Sequence, residues 1–487
     1  MAGETSRGDD RRSPAPAGAS GVYRPALQGC GAVSGAAAFV DRAAALARVQ
    51  RMEEALQAVE KAARIAPNDP RAAAGLAQLN FETWRPAAAL FEKAAHLAPQ
   101  NFDLVRNHSL ALAAEGDITA GVRKLEDALS AAPFWVDGHR TLAAMRITGA
   151  LDGAVDASYA AACGLSGAPL ALWMSWFQQN ATMKRWDGAR RVLEGAKGAF
   201  PASRTLAMAA LYLDSESGAG GDLNARFREF SALSDPGVDL CEIRYRLRQS
   251  EPEAAAAIAQ RHVGRPEARA FWPYLSLCWR LTGDARALWL DGDPLYVATV
   301  DSGMSASELA ALAAFLRGLH RMKASYPEQS VRGGTQTDRQ LLFHHDRRIQ
   351  DLRARMTAAV RRHAAALPAM DSAHPLLSQR RDVVHFSGSW SVRLQDAGFH
   401  APHTHVLGWL SSALYVSLPP DMGPAPAGHL SLGAPPPELG LPLAPCRRID
   451  PKPGSLALFP STMWHSTEPF SSGERLTVAF DIALERP

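Results

Sequence analysis

Three histidines carry the clearest chemical potential in this chain: His403 and His405 in GFHAPHTHVLGWL, and His465 in PKPGSLALFPSTMWH. Imidazole is the commonest side-chain metal ligand. Residues two apart on a strand project from the same face. His403 and His405 can therefore address one ion while His465 reaches it from a distant strand. Three ligands so arranged leave coordination positions open for other molecules. A His-x-His pair by itself also describes two surface histidines, so the residues around it decide its weight.

Ten residues beyond His465 stands Arg475, followed by Thr477, in HSTEPFSSGERLTVAFDI. The Pro-Phe-Ser-Ser-Gly segment reads as a hairpin turn, which predicts His465 and Arg475 on neighbouring antiparallel strands. Alternation places Arg475, Thr477 and Ala479 on one face and Leu476, Val478 and Phe480 on the other. An inward arginine beside a hydroxyl is a carboxylate clamp, because the guanidinium fork engages both oxygens and the hydroxyl adds a donor. A surface arginine beside a turn would not be flanked by such strongly apolar residues.

His-x-His, a distal His and then Arg-x-Thr resemble the iron(II)- and 2-oxoglutarate-dependent oxygenases. Three stretches narrow the resemblance to a group of oxygenases often attached to tetratricopeptide repeats: VRGGTQT (331–337), HAPHTHVLGWLSSALYVSLP (400–419) and PKPGSLALFPSTMWHSTEPFSSGERLTVAFDI (451–482). The resemblance covers about residues 325–485. It implies Fe(II) held by His403, His405 and His465. It also implies 2-oxoglutarate as co-substrate with Arg475 and Thr477 on its distal carboxylate, O2 as oxidant, and hydroxylation coupled to release of succinate. The wider family's first motif is His-x-Asp, and here His405 stands where the acid is expected. The third ligand is then His405 itself, a water, or an acid such as Asp396 reaching in from the preceding turn; the spacing favours His405. The aspartyl/asparaginyl β-hydroxylases, which resemble this chain in joining helical repeats to such a domain, also lack that carboxylate.

Other residues are weaker candidates. Tyr415 and Trp409 are expected to share a strand face, and Tyr415 could border the co-substrate. Thr335 and Gln336 could line the site, in a loop that reads equally as a Gly-rich connection between helices. Arg393 could face inward at a cavity mouth. His400 reads as a partner of the ligands or as a surface residue, His344 and His345 as surface residues, and His429 as a loop residue.

These side chains need a scaffold. Segments Asp382–Leu394, Leu410–Leu418, Ser455–Phe459 and Arg475–Ile482 read as strands, and several strands with Gly/Pro-rich connections suggest a jelly roll, the double-stranded β-helix. Helical stretches Ser305–Lys323 and Arg347–Leu367 lead into it. Upstream the texture is Ala- and Leu-rich and it repeats. Pro67, Pro99 and Pro133 each close a helix, at intervals of 32 and 34 residues. Five residues before each lies an alanine (Ala62, Ala94, Ala128), three earlier a larger apolar residue (Val59, Phe91, Leu125), and at seven before the alanine a small one (Ala55, Ala87, Gly121). Ala189, Leu193, Ala196 and Pro201 return in phase, and Pro236 and Pro266 keep an approximate period. Such positions make one helix face that admits a neighbouring helix. The pattern resembles the tetratricopeptide repeat.

The expected organisation is thus multidomain: residues 1–35 disordered, being rich in Gly, Pro, Ala, Ser and charge; 36–290 an all-α array of tetratricopeptide-like repeats; 291–324 a helical connection; and 325–487 the jelly-roll oxygenase domain. At 487 residues the chain is long enough for this. A net charge of +3 with no long basic block gives no reason to expect nucleic acid. No segment reads as a signal peptide or membrane span. The five cysteines (Cys30, Cys163, Cys241, Cys278, Cys446) form no CxxC pair, which favours a reducing, cytoplasmic setting. Repeat arrays present concave surfaces to peptides or proteins, so the simplest expectation is an enzyme hydroxylating a polypeptide presented by its repeats. Two alternatives stand beside it. One is a cupin-type three-histidine dioxygenase without 2-oxoglutarate, which would have no need of Arg475. The other is a repeat-based scaffold that no longer turns over.

Overall fold

The computed structural model describes residues 35–484. The segment read as disordered lies outside the described residues, apart from Gly35, which opens the first helix.

From Gly35 to Asp291 every regular element is helical, and the helices alternate as first and second members of a pair. The first helices are Gly35–Arg48, Pro70–Glu82, Phe102–Glu115, Val136–Thr148, Leu170–Thr182, Arg204–Ser217, Pro236–Arg248 and Trp272–Thr282. Each ends one or two residues before a residue with positive φ: Gln50, Trp84, Gly116, Ala150, Lys184, Gly218, Ser250 and Gly283. A left-handed residue terminates a helix by turning its last carbonyls onto following amides. The recurrence every 32 to 34 residues therefore marks eight consecutive helix pairs among the described residues. The expected core positions are buried except Ala128, which is half-buried: Ala55, Val59 and Ala62; Ala87, Phe91 and Ala94; Gly121 and Leu125; Ala189, Leu193 and Ala196. Pro236 does not close a helix. It opens one, at the first position after the capping side chain of Asp235, and Pro266 lies between helices.

The remainder builds two antiparallel sheets. The nine strands are β1 (Ala298–Asp301), β2 (Val331–Gln336), β3 (Phe386–His400), β4 (Gly408–Ser417), β5 (Leu430–Leu432), β6 (Arg447–Ile449), β7 (Ser455–Pro460), β8 (His465–Thr467) and β9 (Glu474–Ala483). The large sheet runs β1-β7-β4-β9-β3-β2 and the small one β6-β5-β8. The outer face of the large sheet buries Leu414, Leu456, Leu458, Leu476, Val478 and Phe480 against the helices Ala306–Leu319 and Arg347–Ala366. Its inner face meets the small sheet through Ala457, Phe459, Leu430 and Leu432. This is the jelly-roll arrangement. Residues 291–324 hold more than a connection, since they contain β1, which pairs with β7.

Three readings change here. VRGGTQT is not a loop between helices; it is the edge strand β2, paired with β3. A bulge between Arg332 and Gly334, with Gly333 at φ +68°, lets the two strands approach closely. A Cβ at Gly334 would lie 2.3 Å from the Arg393 carbonyl oxygen. His465 and Arg475 are not on paired strands, because β8 belongs to the small sheet and β9 to the large. His344 is not on the surface: it is buried, with its ring 5.2 Å from Trp84 and 5.1 Å from Phe315. Its neighbour His345 is exposed but bonds to the Thr83 carbonyl oxygen.

The turns inside the helix pairs face the sheets and their lead-in. The Trp84 indole donates to Gln340 O (3.0 Å), Arg321 to Ala114 O (2.7 Å), and the Lys323 amide to Thr148 O (2.8 Å). Lys184 pairs with Glu438. At the far end, Arg280 donates to the Gly433 and Ala444 carbonyls, and the Trp464 indole to Pro273 O. At the near end the Gln50 amide acts as a backbone surrogate, donating to Phe386 O (2.8 Å) and accepting from Phe386 N (3.0 Å). Gln50→Ala leaves both groups of a residue only 2% exposed without partners. The expected loss is about 1–3 kcal/mol, read as a lower urea midpoint for the whole chain.

Candidate metal and carboxylate site

Each of the three histidines is fixed by its own local structure. His403 and His405 lie in the connection between β3 and β4 rather than on a regular strand. His403 forms an isolated bridge with His465, the two residues exchanging backbone hydrogen bonds of 3.1 and 3.0 Å, and the His405 amide donates to Ser461 O (2.9 Å). The small sheet's β8 and the β3–β4 connection are thereby stitched together at the mouth of the roll. The imidazole nitrogens come together, with one ligand atom from each of His403, His405 and His465 lying within 4.8 Å of the others. Ring centroids stand 4.1 Å (His403–His465), 4.9 Å (His403–His405) and 5.0 Å (His405–His465) apart.

The second nitrogen of each ring has its own acceptor. His403 Nδ1 lies 2.8 Å from Ala401 O, His465 Nδ1 3.0 Å from Met463 O, and His405 Nδ1 2.6 Å from the Asp481 carboxylate. Acceptors on Nδ1 select the tautomer with its lone pair on Nε2, the form a metal needs. Burial, and then the neighbouring imidazoles, hold His403 and His465 well below the ordinary histidine range. For His405 burial acts in the same direction, but the Asp481 charge and hydrogen bond outweigh it and raise the group. His400 stands beside the trio. Ser330 Oγ bridges its Nδ1 (3.0 Å) and His403 Nε2 (3.2 Å), and burial with the nearby Arg475 charge pushes it down to about 3.

Arg475 is 2% exposed on the inner face of β9. Among the described residues no carboxylate lies within ion-pair distance of it, and its Nε has no hydrogen-bond partner. Its guanidinium lies 5.2 Å from the Tyr415 ring centre, and the Tyr415 hydroxyl is likewise buried and unpartnered. Burial lowers Arg475 and raises Tyr415, each opposed by the other's proximity. Residues opposite one another in an antiparallel pair share a face. The register Tyr415–Thr477–Val392–Gln336 therefore runs as one inward row across four strands, next to the Arg475–Leu394 pair.

The same register corrects several candidates. Arg393 lies opposite Leu476 on the outer face, where it pairs with Glu474 (2.5 Å). Thr335, opposite Arg393, bonds to His320 (2.8 Å), so of the two β2 candidates only Gln336 faces inward. Trp409 does not share a face with Tyr415. A register shift between Gly408 and Ser411 turns it into the outer core, where its indole donates to Leu376 O. Asp396 is exposed and ties the turn at Gly473, exchanging bonds with its backbone, so it contributes nothing to the trio. His429 lies in a loop 3.5 Å from Asp450. Asp481 escaped the sequence reading, although continuing the alternation Arg475, Thr477, Ala479 by one more step reaches it.

Residues 388–481 match the model of the family described as "Putative 2OG-Fe(II) oxygenase". These residues form a 2OG-Fe(II) oxygenase domain. A search of curated proteins gives no match. Similar solved structures include a prolyl-4-hydroxylase from Pseudomonas putida (18% identity over 39% of this chain and 93% of that one, TM-score 0.27). Another is an oxidoreductase of the 2OG-Fe(II) oxygenase family from Burkholderia pseudomallei (14% identity, 39% and 85%, TM-score 0.26). A tetratricopeptide repeat protein from Parabacteroides merdae is also similar (13% identity, 50% and 98%, TM-score 0.33). Among the described residues no helix is long and apolar enough to cross a membrane.

The oxygenase domain and its surroundings are rich in buried neutral histidines. Burial holds His320, His344 and His363 down at about 4, alongside His400, His403 and His465. Their unfolded forms titrate near 6.5, so below that pH the unfolded chain takes up more protons than the folded one. The stability is full above about pH 6.5 and drains away as pH falls toward 4. His405, raised by Asp481, works in the opposite sense and is outnumbered. Urea midpoints of the metal-free protein at pH 7, 6, 5 and 4 should fall in that order.

Proposed function

We propose that the chain is an iron(II)- and 2-oxoglutarate-dependent oxygenase that hydroxylates a side chain of a peptide or protein presented by its helical repeats. His403, His405 and His465 would hold the iron. Arg475, with Thr477 and Tyr415 beside it, would take the distal carboxylate of 2-oxoglutarate. The observation that carries this reading is the buried guanidinium of Arg475, which has no internal carboxylate and an orphaned Nε. A buried charge without a partner costs several kcal/mol, and a dicarboxylic co-substrate supplies the missing anion. The donor set fits as well: three imidazoles, each with its second nitrogen occupied, suit Fe(II).

Bound there, the iron would supply oxidation of an unactivated carbon, coupled to decarboxylation of 2-oxoglutarate to succinate. The chain's own residues do the positioning. Acceptors on Nδ1 orient the three rings. The Trp390 and Phe459 rings, 5.6 Å from His405 and 4.9 Å from His465, wall the site with apolar surface. A three-histidine dioxygenase that makes no use of 2-oxoglutarate leaves Arg475 without a task. A non-catalytic scaffold leaves both Arg475 and the oriented imidazoles unexplained.

Anaerobic titration with iron(II) and then 2-oxoglutarate should produce the visible charge-transfer band of the chelate. His465→Ala should abolish it at any 2-oxoglutarate concentration. Arg475→Ala should keep iron binding but weaken the 2-oxoglutarate response by about 2 kcal/mol or more, roughly 30-fold. Equal loss of iron in both variants would sink the assigned division of labour. For the acceptor, the full chain with iron(II), 2-oxoglutarate, oxygen and a peptide library should give peptides heavier by one oxygen atom, with matching succinate. Turnover confined to small molecules would remove the polypeptide part of the proposal.

A further inference from the structure

The histidine trio contains no acid, yet one stands directly behind it. His405 Nδ1 meets Asp481 Oδ2 at 2.6 Å, while Ser411 Oγ donates to Asp481 Oδ1 at 2.7 Å and meets Ser461 Oγ at 2.9 Å. Ser461 in turn accepts the His405 backbone amide. Imidazole, carboxylate and both hydroxyls form one closed network, and its three anchoring side chains, Asp481, Ser411 and Ser461, are all buried. The backbone makes room for it: a Cβ at Gly408 would lie 2.5 Å from Ser461 Oγ and 3.4 Å from Asp481 Cβ. Neither His403 nor His465 has such a partner, since each leans on a backbone carbonyl.

We propose that Asp481 is a positioning residue that locks His405 in the tautomer with Nε2 toward the trio and delivers, through that ring, the negative charge a carboxylate ligand would have given directly. The inference rests on the reading of His405 as a metal ligand. A site of three imidazoles is neutral, whereas one of two imidazoles and an acid carries a charge of minus one. Asp481 returns that charge from one bond network further out. A carboxylate hydrogen-bonded to the far nitrogen of a ligating imidazole fixes the ring and increases its basicity, and removing such a partner weakens metal binding by about 10–100-fold.

Two measurements test it. The first uses the metal-free protein. Long-range proton–nitrogen correlation spectra, recorded at a pH above the titration of the ring, should show His405 as the pure Nδ1–H tautomer, and Asp481→Asn should turn it into a mixture. The second is cobalt(II) affinity measured by competition with a chelator. Asp481→Asn should weaken binding on the order of 10–100-fold. His405→Asp alone should also weaken it, because two carboxylates would then face each other at hydrogen-bonding distance. Adding Asp481→Asn to His405→Asp should restore binding, so that the same substitution harms one background and rescues the other. Ser411→Ala, which withdraws the donor from the far oxygen while leaving the carboxylate, gives a milder probe with an expected loss of a few-fold. Asp481→Asn weakening both backgrounds alike would show a merely structural role and overturn the inference. So would an unchanged tautomer together with unchanged affinity. A wild-type chain that binds no cobalt(II) or iron(II) would remove the metal reading and the charge role together. That outcome is distinct from a metal-binding wild type indifferent to Asp481, which overturns the inference alone.

Discussion

A guanidinium sealed inside a β-roll without a carboxylate of its own sets the terms for the rest of this molecule. Water solvates such a group far better than a protein interior does, so its burial is unfavourable on its own. The fold offsets this through the strand that carries it. Leu476, Val478 and Phe480 alternate with Arg475 and Thr477 along β9 and are fully buried against two helices on the other side of the sheet. Withdrawing the arginine to solvent would mean withdrawing those three residues from the core. The face of the Tyr415 ring recovers part of the electrostatic cost. The remainder is available to whatever anion enters.

The imidazoles are held by different means from the arginine. Arg475 and Thr477 are placed by the strict period of a central strand, whereas His403 and His405 belong to a connection with no regular pairing except the bridge to His465. Strand alternation gives only two directions for a side chain. Three rings converging on a single point require the backbone to leave that lattice. The bridge, the His405–Ser461 backbone bond and the space left at Gly408 hold the departure in a fixed shape.

Much of this could be read from the residues. The helix pairs announced themselves through small and large apolar residues in phase with Pro67, Pro99 and Pro133. The four strand readings, 382–394, 410–418, 455–459 and 475–482, correspond to β3, β4, β7 and β9. What escaped was short or irregular. β5, β6 and β8 have three residues each, too few for alternation to register. β2 reads as a loop because its two glycines serve a bulge and a close interstrand approach. The later signature fades because several second helices are short, namely Ala157–Cys163, Asn224–Phe230, Pro252–Gln260 and Arg286–Asp291, and none of these has a proline two residues beyond its end to mark the phase. Face assignments failed wherever a register shift intervened, as at Trp409. Arg393 failed for another reason: nothing in the sequence told which face of β3 was inner.

Most solenoids can gain or lose a unit, since each repeat touches only its neighbours. This one cannot do so freely. The turn at Gln50 is bonded to the start of β3, and Arg280, at the end of the eighth pair's first helix, is bonded to the carbonyls of Gly433 and Ala444. The jelly roll thus bridges the first and the eighth of the described pairs as a bar bridges a horseshoe. Deleting or duplicating a single pair would rotate one end out of reach of its bonds. The number of repeats is therefore coupled to the dimensions of the catalytic roll, and the length of the array becomes a property of the enzyme rather than of whatever it binds.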